Sequence, residues 1–226
     1  MDWAKSLPVS GDYVRNHILK ALTKSWFQAR RGRITASTRA QILFEHRTWY
    51  KLGQELAAEL QPDWVHVDRD ALPMKWGRDH EREALDAVNE KLGVIIEEPG
   101  LILHPAYDYA GSTPDGFITD QTTVQIKCPF STKNHMKTVL DRMMSAQYYC
   151  QVEFEGWTSQ REKILYGSYD PRVPKDIRLF LIDVPANKDM WGVFEKNLEL
   201  FRKDFEADGF PLPGKLRVDS GIADCF

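Results

Sequence analysis

Apolar residues recur along this chain at two intervals, and the switch between them separates helices from strands. Val14, Ile18, Leu19, Leu22 and Trp26 fall at helical spacing, which predicts an amphipathic helix over 13–29. Beyond the break at Arg30-Arg31-Gly32-Arg33, the run Ala40, Ile42, Leu43 and Phe44 predicts another helix start, with Thr35 or Ser37 as its N-cap. A helix over 49–60 follows, ended by Pro62. The stretch 74–92 carries the clearest stripe: Ala84, Leu85, Val88 and Leu92 share one side, and Arg82, Glu83, Asp86 and Glu90 lie on the other. Glu81 stands three, four and seven residues before Ala84, Leu85 and Val88, so it is expected on the apolar face. An inward carboxylate requires a cation or donors. An arginine partner and a metal ion beside Asp115 would each satisfy it.

After Gly93 the period shortens to two. Segments 94–97 and 100–104 read as strands, and 111–130 reads as two short strands joined by a polar turn. In the second arm Val124, Ile126 and Cys128 point to one face, while Gln125 and Lys127 point to the other. Ser131 is expected to cap a helix over 132–140, and Asp141 a second one reaching 154, with Gln151 on its partly buried face. Strands over 164–169 and 179–184 flank Asp170-Pro171-Arg172, and 190–205 is a closing amphipathic helix. This order predicts an α/β protein: a central mixed sheet flanked by helices, with an N-terminal helical extension. It is expected to form a single domain over 1–226, divided into N-terminal helices (1–62), a core (74–208) and a Pro-rich tail (209–226).

Charge narrows the partners. Lys and Arg total 30 against 33 Asp and Glu, a net charge of −3, so any contact with nucleic acid must be local. Local basic density exists in Lys24, Arg30, Arg31, Arg33, Arg39, Arg47 and Lys51, a window whose only acid is Glu45. It reads either as a solvated helix face or, at a helix N-terminus with free N–H groups, as an anion site. The three cysteines, Cys128, Cys150 and Cys225, suggest neither a disulfide framework nor a zinc or iron-sulfur site. No run is long enough to span a membrane and no signal-peptide pattern opens the chain, so an intracellular, cytoplasmic location is expected.

The candidate chemistry lies in 111–130. Pro114-Asp115-Gly116 alone is a turn, with Pro fixing φ and Gly taking a positive one, and Gln-x-Lys alone is a solvated sheet face. Together, an acid at one strand end and a metal-capable oxygen and a lysine at i and i+2 on the next strand form the layout of a PD-(D/E)xK, restriction-endonuclease-like core. Such a site would gather Glu81, Asp115, Gln125 and Lys127. Hydrolysis of a phosphodiester needs charge neutralisation, a nucleophile at neutral pH and a stabilised leaving oxygen, which two ions ~4 Å apart supply.

The anchors Trp26…Arg30-x-Gly32-x-Ile34-Thr35-Ala36-Ser37, Trp76-Gly77…Glu81, Thr113-Pro114-Asp115-Gly116, Ile126-Lys127-Cys128-Pro129-Phe130, Tyr148-x-x-Gln151 and Tyr169-Asp170-Pro171-Arg172 follow in an order and spacing that resembles the lambda exonuclease family of phage recombination nucleases, the YqaJ-like viral recombinases. The resemblance implies a processive 5′–3′ exonuclease on linear duplex DNA that releases 5′-mononucleotides and leaves a 3′ single strand. It implies Mg²⁺, in two ions with Mn²⁺ as a substitute, held by Asp115, Gln125 and the Ile126 carbonyl, with Glu81 serving the second ion. Lys127 would act on the attacking water or the developing phosphoryl charge, and Gln151 would support the nucleophile. Arg30, Ser37 and Thr113 would grip the 5′-phosphate, with Arg31, Arg33 and Arg47 on DNA and Arg47, Trp49 and Tyr50 at the melted end. A homotrimeric ring around DNA and a single-strand annealing partner are implied too, in the cytoplasm of a bacterial host.

One position departs from the pattern: the family has Glu where this chain has Gln125. An amide keeps the shape and one ligating oxygen but removes a charge. Two further readings therefore stand beside the exonuclease: a DNA-end clamp with attenuated catalysis, and a structure-specific endonuclease on the same core.

Overall fold

The protein is described by a computed structural model over residues 23–65 and 71–209. The helix expected over 13–29 is seen as α1, Lys24–Arg30, its N-terminus capped by Thr23, whose Oγ1 accepts from Trp26 N at 3.2 Å; residues 13–22 lie outside the described residues, as does the tail from 210. Next come β1 (Ile34–Thr35), the short α2 (Arg39–Ile42), a 3-10 turn at His46–Thr48 and α3 (Trp49–Glu59). Neither Thr35 nor Ser37 caps a helix: Thr35 is drawn into β1, and the residue before α2 is Thr38, with no side-chain cap.

Helix α4 (Leu72–Leu92) ends at Gly93, whose φ of 65° suits a residue without Cβ. The strand expected over 94–97 is reduced to a single antiparallel bridge between Glu97 and Phe117. Then follow β2 (Ile102–Leu103), β3 (Ala110–Ser112), β4 (Gly116–Thr119), β5 (Thr122–Lys127), α5 (Thr132–Asp141), α6 (Ala146–Ser159), β6 (Lys163–Tyr169), β7 (Leu179–Pro185) and α7 (Lys188–Ala207). Asp141 closes α5 rather than opening the next helix, which is capped by Ser145, whose Oγ accepts from Tyr148 N at 3.2 Å. Ser131 precedes α5 but makes no side-chain cap bond.

The strands form two sheets where one was expected. The small one runs β1-β3-β2, and the main one runs β4-β5-β6-β7, mixed, with β5 and β6 parallel and both outer pairs antiparallel. Parallel neighbours need a crossover, which α5 and α6 provide.

The period-two pattern decides what covers each face of the main sheet. Val124, Ile126, Leu165 and Tyr169 meet Ala84, Leu85 and Val88 of α4. The opposite face, with Ile164, Tyr166 and Val184, meets Val152 of α6. Helix α6 is also packed from behind, where Phe154 and Trp157 join Trp49, Phe194, Phe201 and the N-terminal helices. A helix packed on all sides shows little amphipathic contrast, and Cys150 to Ser159 are all buried. Leu92, expected in the stripe of α4, is 44% exposed because the helix has run past the sheet edge. Among the described residues no helix is long and apolar enough to cross a membrane.

Candidate active site

The register of the β4–β5 hairpin builds the site. Gly116 pairs with Val124, so Asp115, one residue before the strand, comes beside Gln125 and Ile126. Gly116 has no positive φ, contrary to the simple turn reading. Its missing side chain is needed for approach, since a Cβ there would fall 2.0 Å from Ile96 Cγ2. A glycine after the acid therefore lets α4's trailing segment close over the hairpin.

Two donors converge on Asp115. Its Oδ2 accepts from Ile126 N at 2.6 Å and from Gln125 Nε2. The same Gln125 nitrogen points at the Ile126 carbonyl, 3.3 Å away. From α6, Gln151 Nε2 donates to Gln125 Oε1 at 3.2 Å and to Glu155 Oε1 at 2.7 Å. Gln125 and Gln151 are buried, so the solvated-face reading of Gln-x-Lys does not hold for Gln125. Lys127, half-buried one alternation further along β5, sets its Nζ 5.4 Å from the Tyr148 ring centroid.

Burial raises the Asp115 carboxyl above the usual carboxylate range, against the pull of Lys127 and the two hydrogen bonds. Glu81 is exposed rather than buried as its spacing suggested. Its carboxyl is nevertheless crowded on the cleft side: desolvation first, then the Asp115 charge, push it up to about 7. Glu155, 1% exposed, is pushed up to about 8 by burial.

An oxygen-rich set fits Mg²⁺. The Asp115 carboxylate and the Ile126 carbonyl both accept from one Gln125 nitrogen, so they already face a common donor position. Among the described residues no three His, Cys, Asp or Glu side chains cluster tightly enough to hold an ion by themselves, which makes the backbone carbonyl and the amide necessary members of any such set.

Beside this cluster lies a basic cavity of about 280 Å³ lined by Trp26, Arg30, Thr35, Arg39, Glu59 and Arg78, among others. The Arg30 guanidinium sits over Trp26, 4.2 Å from the ring centroid, and Nη2 donates to Thr35 Oγ1 at 3.2 Å. Trp26 Nε1 donates to Thr113 Oγ1 at 3.0 Å, so one indole joins two of the expected phosphate-binding residues. Ser37 is exposed and does not line the cavity. Desolvation, then repulsion from Arg39, lower Arg30 to about 10, which leaves it charged at neutral pH.

Two of the three arginines expected on DNA serve the fold. Arg33, 3% exposed, donates to the carbonyls of Ala29 and Asp108, and Arg31 donates to those of Glu59 and Gln61 at the end of α3. Arg47 is exposed and loosely paired with Glu45. Trp49 is a core residue, whereas Tyr50 is 73% exposed. Arg39, one of the basic window, lines the cavity, whereas the spacing argument overlooked Arg78 and Glu155. For Glu155 a signal existed, since it follows Gln151 by one helical turn inside an apolar run.

This mixed α/β fold is the fold of phage-related exonucleases. The alkaline exonuclease LHK-Exo from Laribacter hongkongensis superposes with a TM-score of 0.75 at 26% identity, covering 82% of this chain and 94% of that one. LHK-Exo in complex with dAMP gives 0.76 at 27% identity, with the same coverage. A phage-related exonuclease from Haemophilus somnus gives 0.55 at 10% identity, over 86% and 91% of the two chains, a likeness of fold. The family model of the YqaJ-like viral recombinase domain matches residues 25–162, and the chain belongs to that family. No curated protein sequence matches the chain.

Proposed function

We propose that this protein is a Mg²⁺-dependent 5′–3′ exonuclease that acts on ends of linear duplex DNA, releasing 5′-mononucleotides and leaving a 3′ single strand for recombination by annealing. The observation that carries the reading is the convergence of Asp115, Gln125, the Ile126 carbonyl and Lys127 at the β4–β5 hairpin, beside a basic cavity built on Arg30. The dAMP complex of the similar LHK-Exo supports a mononucleotide product.

Asp115, Gln125, the Ile126 carbonyl and Glu81 would hold Mg²⁺, which when bound neutralises phosphoryl oxygens and activates water. The rest is the work of the chain's own residues. Lys127 places an ammonium where negative charge develops on the phosphoryl group. Gln151 fixes the Gln125 amide. Arg30, braced by Trp26, binds the terminal 5′-phosphate and sets which nucleotide is cut. The reading includes a homotrimeric ring around the duplex and a single-strand annealing partner, which sedimentation of the protein alone and with such a partner would test.

A second reading rests on Gln125. Its Nε2 donates to both acceptors that a cation would take, which favours a DNA-end clamp with attenuated cutting. Release of mononucleotides from a 5′-phosphorylated linear duplex in Mg²⁺ separates the two, run beside Gln125→Glu. Turnover by both proteins supports the exonuclease, and turnover only by Gln125→Glu supports the clamp. Cleavage of closed circular DNA would instead indicate an endonuclease.

A further inference from the structure

Lys127 carries the charge that the proposed chemistry needs, and the acids around it do not fix it by pairing. Asp115, Glu81 and Glu155 act on it through space, yet among the described residues its Nζ has no ion pair and no hydrogen bond. What the ammonium meets is a ring: Nζ lies 5.4 Å from the Tyr148 centroid. That falls inside the ~6 Å over which an aromatic face attracts a cation. The ring is itself held. Ser145 Oγ accepts from Tyr148 N at 3.2 Å, which fixes where the side chain leaves the first turn of α6. The ring then packs on Tyr166, with centroids 6.0 Å apart, and on the cluster of Val152, Ile164 and Val184. Tyr166 is 1% exposed and stands in register with Gln125 on the neighbouring strand.

The first turns of α6 thus cover β5 residue by residue. Gln151, one helical turn after Tyr148 and on the same face, holds Gln125, while Tyr148 meets Lys127 at the next alternation of the strand. A carboxylate in place of the ring would pair with the ammonium and occupy its N–H groups. A ring attracts the whole charge through its quadrupole and takes one N–H at most. The others stay available to water or to a phosphoryl oxygen. We propose that Tyr148 is a positioning residue: the face of its ring holds the Lys127 ammonium in the cleft without neutralising it. The inference rests on the exonuclease reading above and deepens it, because a lysine on its long flexible stem must otherwise be ordered afresh in each turnover.

The test changes the ring at position 148 in the full chain. Tyr148→Leu is expected to lower kcat for mononucleotide release about tenfold or more, with KM for duplex altered less than about threefold. Tyr148→Phe keeps the face and should hold kcat within about threefold. Phenylalanines with progressively more ring fluorines keep nearly the same size while draining charge from the face, so kcat should fall stepwise along that series. A flat series overturns the proposal and leaves Tyr148 a packing residue. A loss in Tyr148→Phe as large as in Tyr148→Leu overturns it too, since the hydroxyl would then be the group that acts. Each rate is also read in Gln125→Glu, so that attenuated cutting at Gln125 does not hide the effect. Where Tyr148→Leu does not fold by circular dichroism, the fluorine series carries the comparison alone. Proton resonances of Lys127 Cε in protein with carbon-labelled lysine, assigned with Lys127→Arg, give a readout that needs no turnover. Those protons should lie upfield in the ring current of Tyr148 and move downfield in Tyr148→Leu. An unshifted Cε signal overturns the proposal, whereas a shifted one with no release in either background removes the exonuclease reading and leaves the contact standing.

Discussion

The guanidinium of Arg172 lies over the ring of Trp76, its Cζ 4.2 Å from the centroid. Trp76 belongs to the exposed half of α4 that carries Glu81, while Arg172 Nη2 also donates to the carbonyls of Pro129 at 3.2 Å and Phe130 at 3.0 Å, just beyond Lys127. One side chain thus ties the helix bearing Glu81 to the strand bearing Lys127, and their separation depends on it.

Removing that tie should misplace the two groups without removing either. Arg172→Ala is expected to lower turnover roughly ten- to hundredfold, the cost of an ångström-scale displacement. Duplex binding should change little. Stability should fall by about 2 kcal/mol, since a buried Asp170 loses its partner while the arginine itself is partly solvated. Arg172→Lys should recover only part of each loss, because an ammonium cannot reproduce the fork that reaches three acceptors. Thermal melts and single-turnover rates read the two effects separately, and full activity in Arg172→Ala would refute the role.

Asp170 gives the pH dependence of the same junction. Burial pushes its carboxyl up, but hydrogen bonds from the Arg172 side chain and backbone outweigh that and hold it at about 2, below its ordinary 3.8. A depressed folded value means stability that is complete above the unfolded pKa and is lost as pH falls through the folded one. The part of the denaturant midpoint that Asp170 supplies, read as the difference from Asp170→Asn, should therefore hold steady above pH ~5 and drop between about 4 and 2. Asp170→Asn should lower stability at neutral pH and flatten the acid limb. An equally steep limb in that variant would place the acid sensitivity elsewhere.

Lys127 is the residue whose loss should separate binding from chemistry. It faces the cleft from β5 at the alternation shared with Gln125, its Nζ 5.4 Å from the Tyr148 ring centroid. Lys127→Ala should reduce mononucleotide release by roughly 10²–10³-fold or more. Duplex affinity, which phosphate contacts dominate, should persist and keep its steep dependence on salt. Normal turnover in the variant would sink the assignment of this cleft.

How far such arguments run from the sequence alone depends on the length of each element. Helices over 49–60 and 74–92 and the strand carrying Gln125 and Lys127 announce themselves, because several turns or alternations repeat the signal. The small sheet does not, since strands of two and three residues contain no full period. The start of α6 was set too early, at Asp141, because an acid before an apolar run reads as a cap, whereas Arg142, with φ 52°, closes α5 and Ser145 caps α6. Glu81 was placed on the correct side, toward Asp115, but not as exposed as it is, because helical spacing records which side a residue shares and not how deeply it is covered. The burial of Arg33 depended on the Asp108 carbonyl, 75 residues away, which no local pattern foretells.

Selectivity for the 5′ end should rest on Arg30, and Trp26 gives a way to grade it. The indole carries the guanidinium on its face and holds Thr113 by its N–H, so it positions both groups proposed to bind the phosphate. Arg30→Ala removes a charge-assisted contact and should reduce the preference for 5′-phosphoryl over 5′-hydroxyl ends about tenfold or more. Trp26→Phe keeps a ring under Arg30 but drops the bond to Thr113, so its effect should be smaller and of the same sign. Neither change touches the Asp115 cluster, and release from 5′-hydroxyl duplexes should therefore fall less than release from phosphorylated ones. Rates on the two substrates, compared within each variant, isolate the end contact from general damage. An unchanged ratio in Arg30→Ala would assign the basic cavity to another part of the DNA.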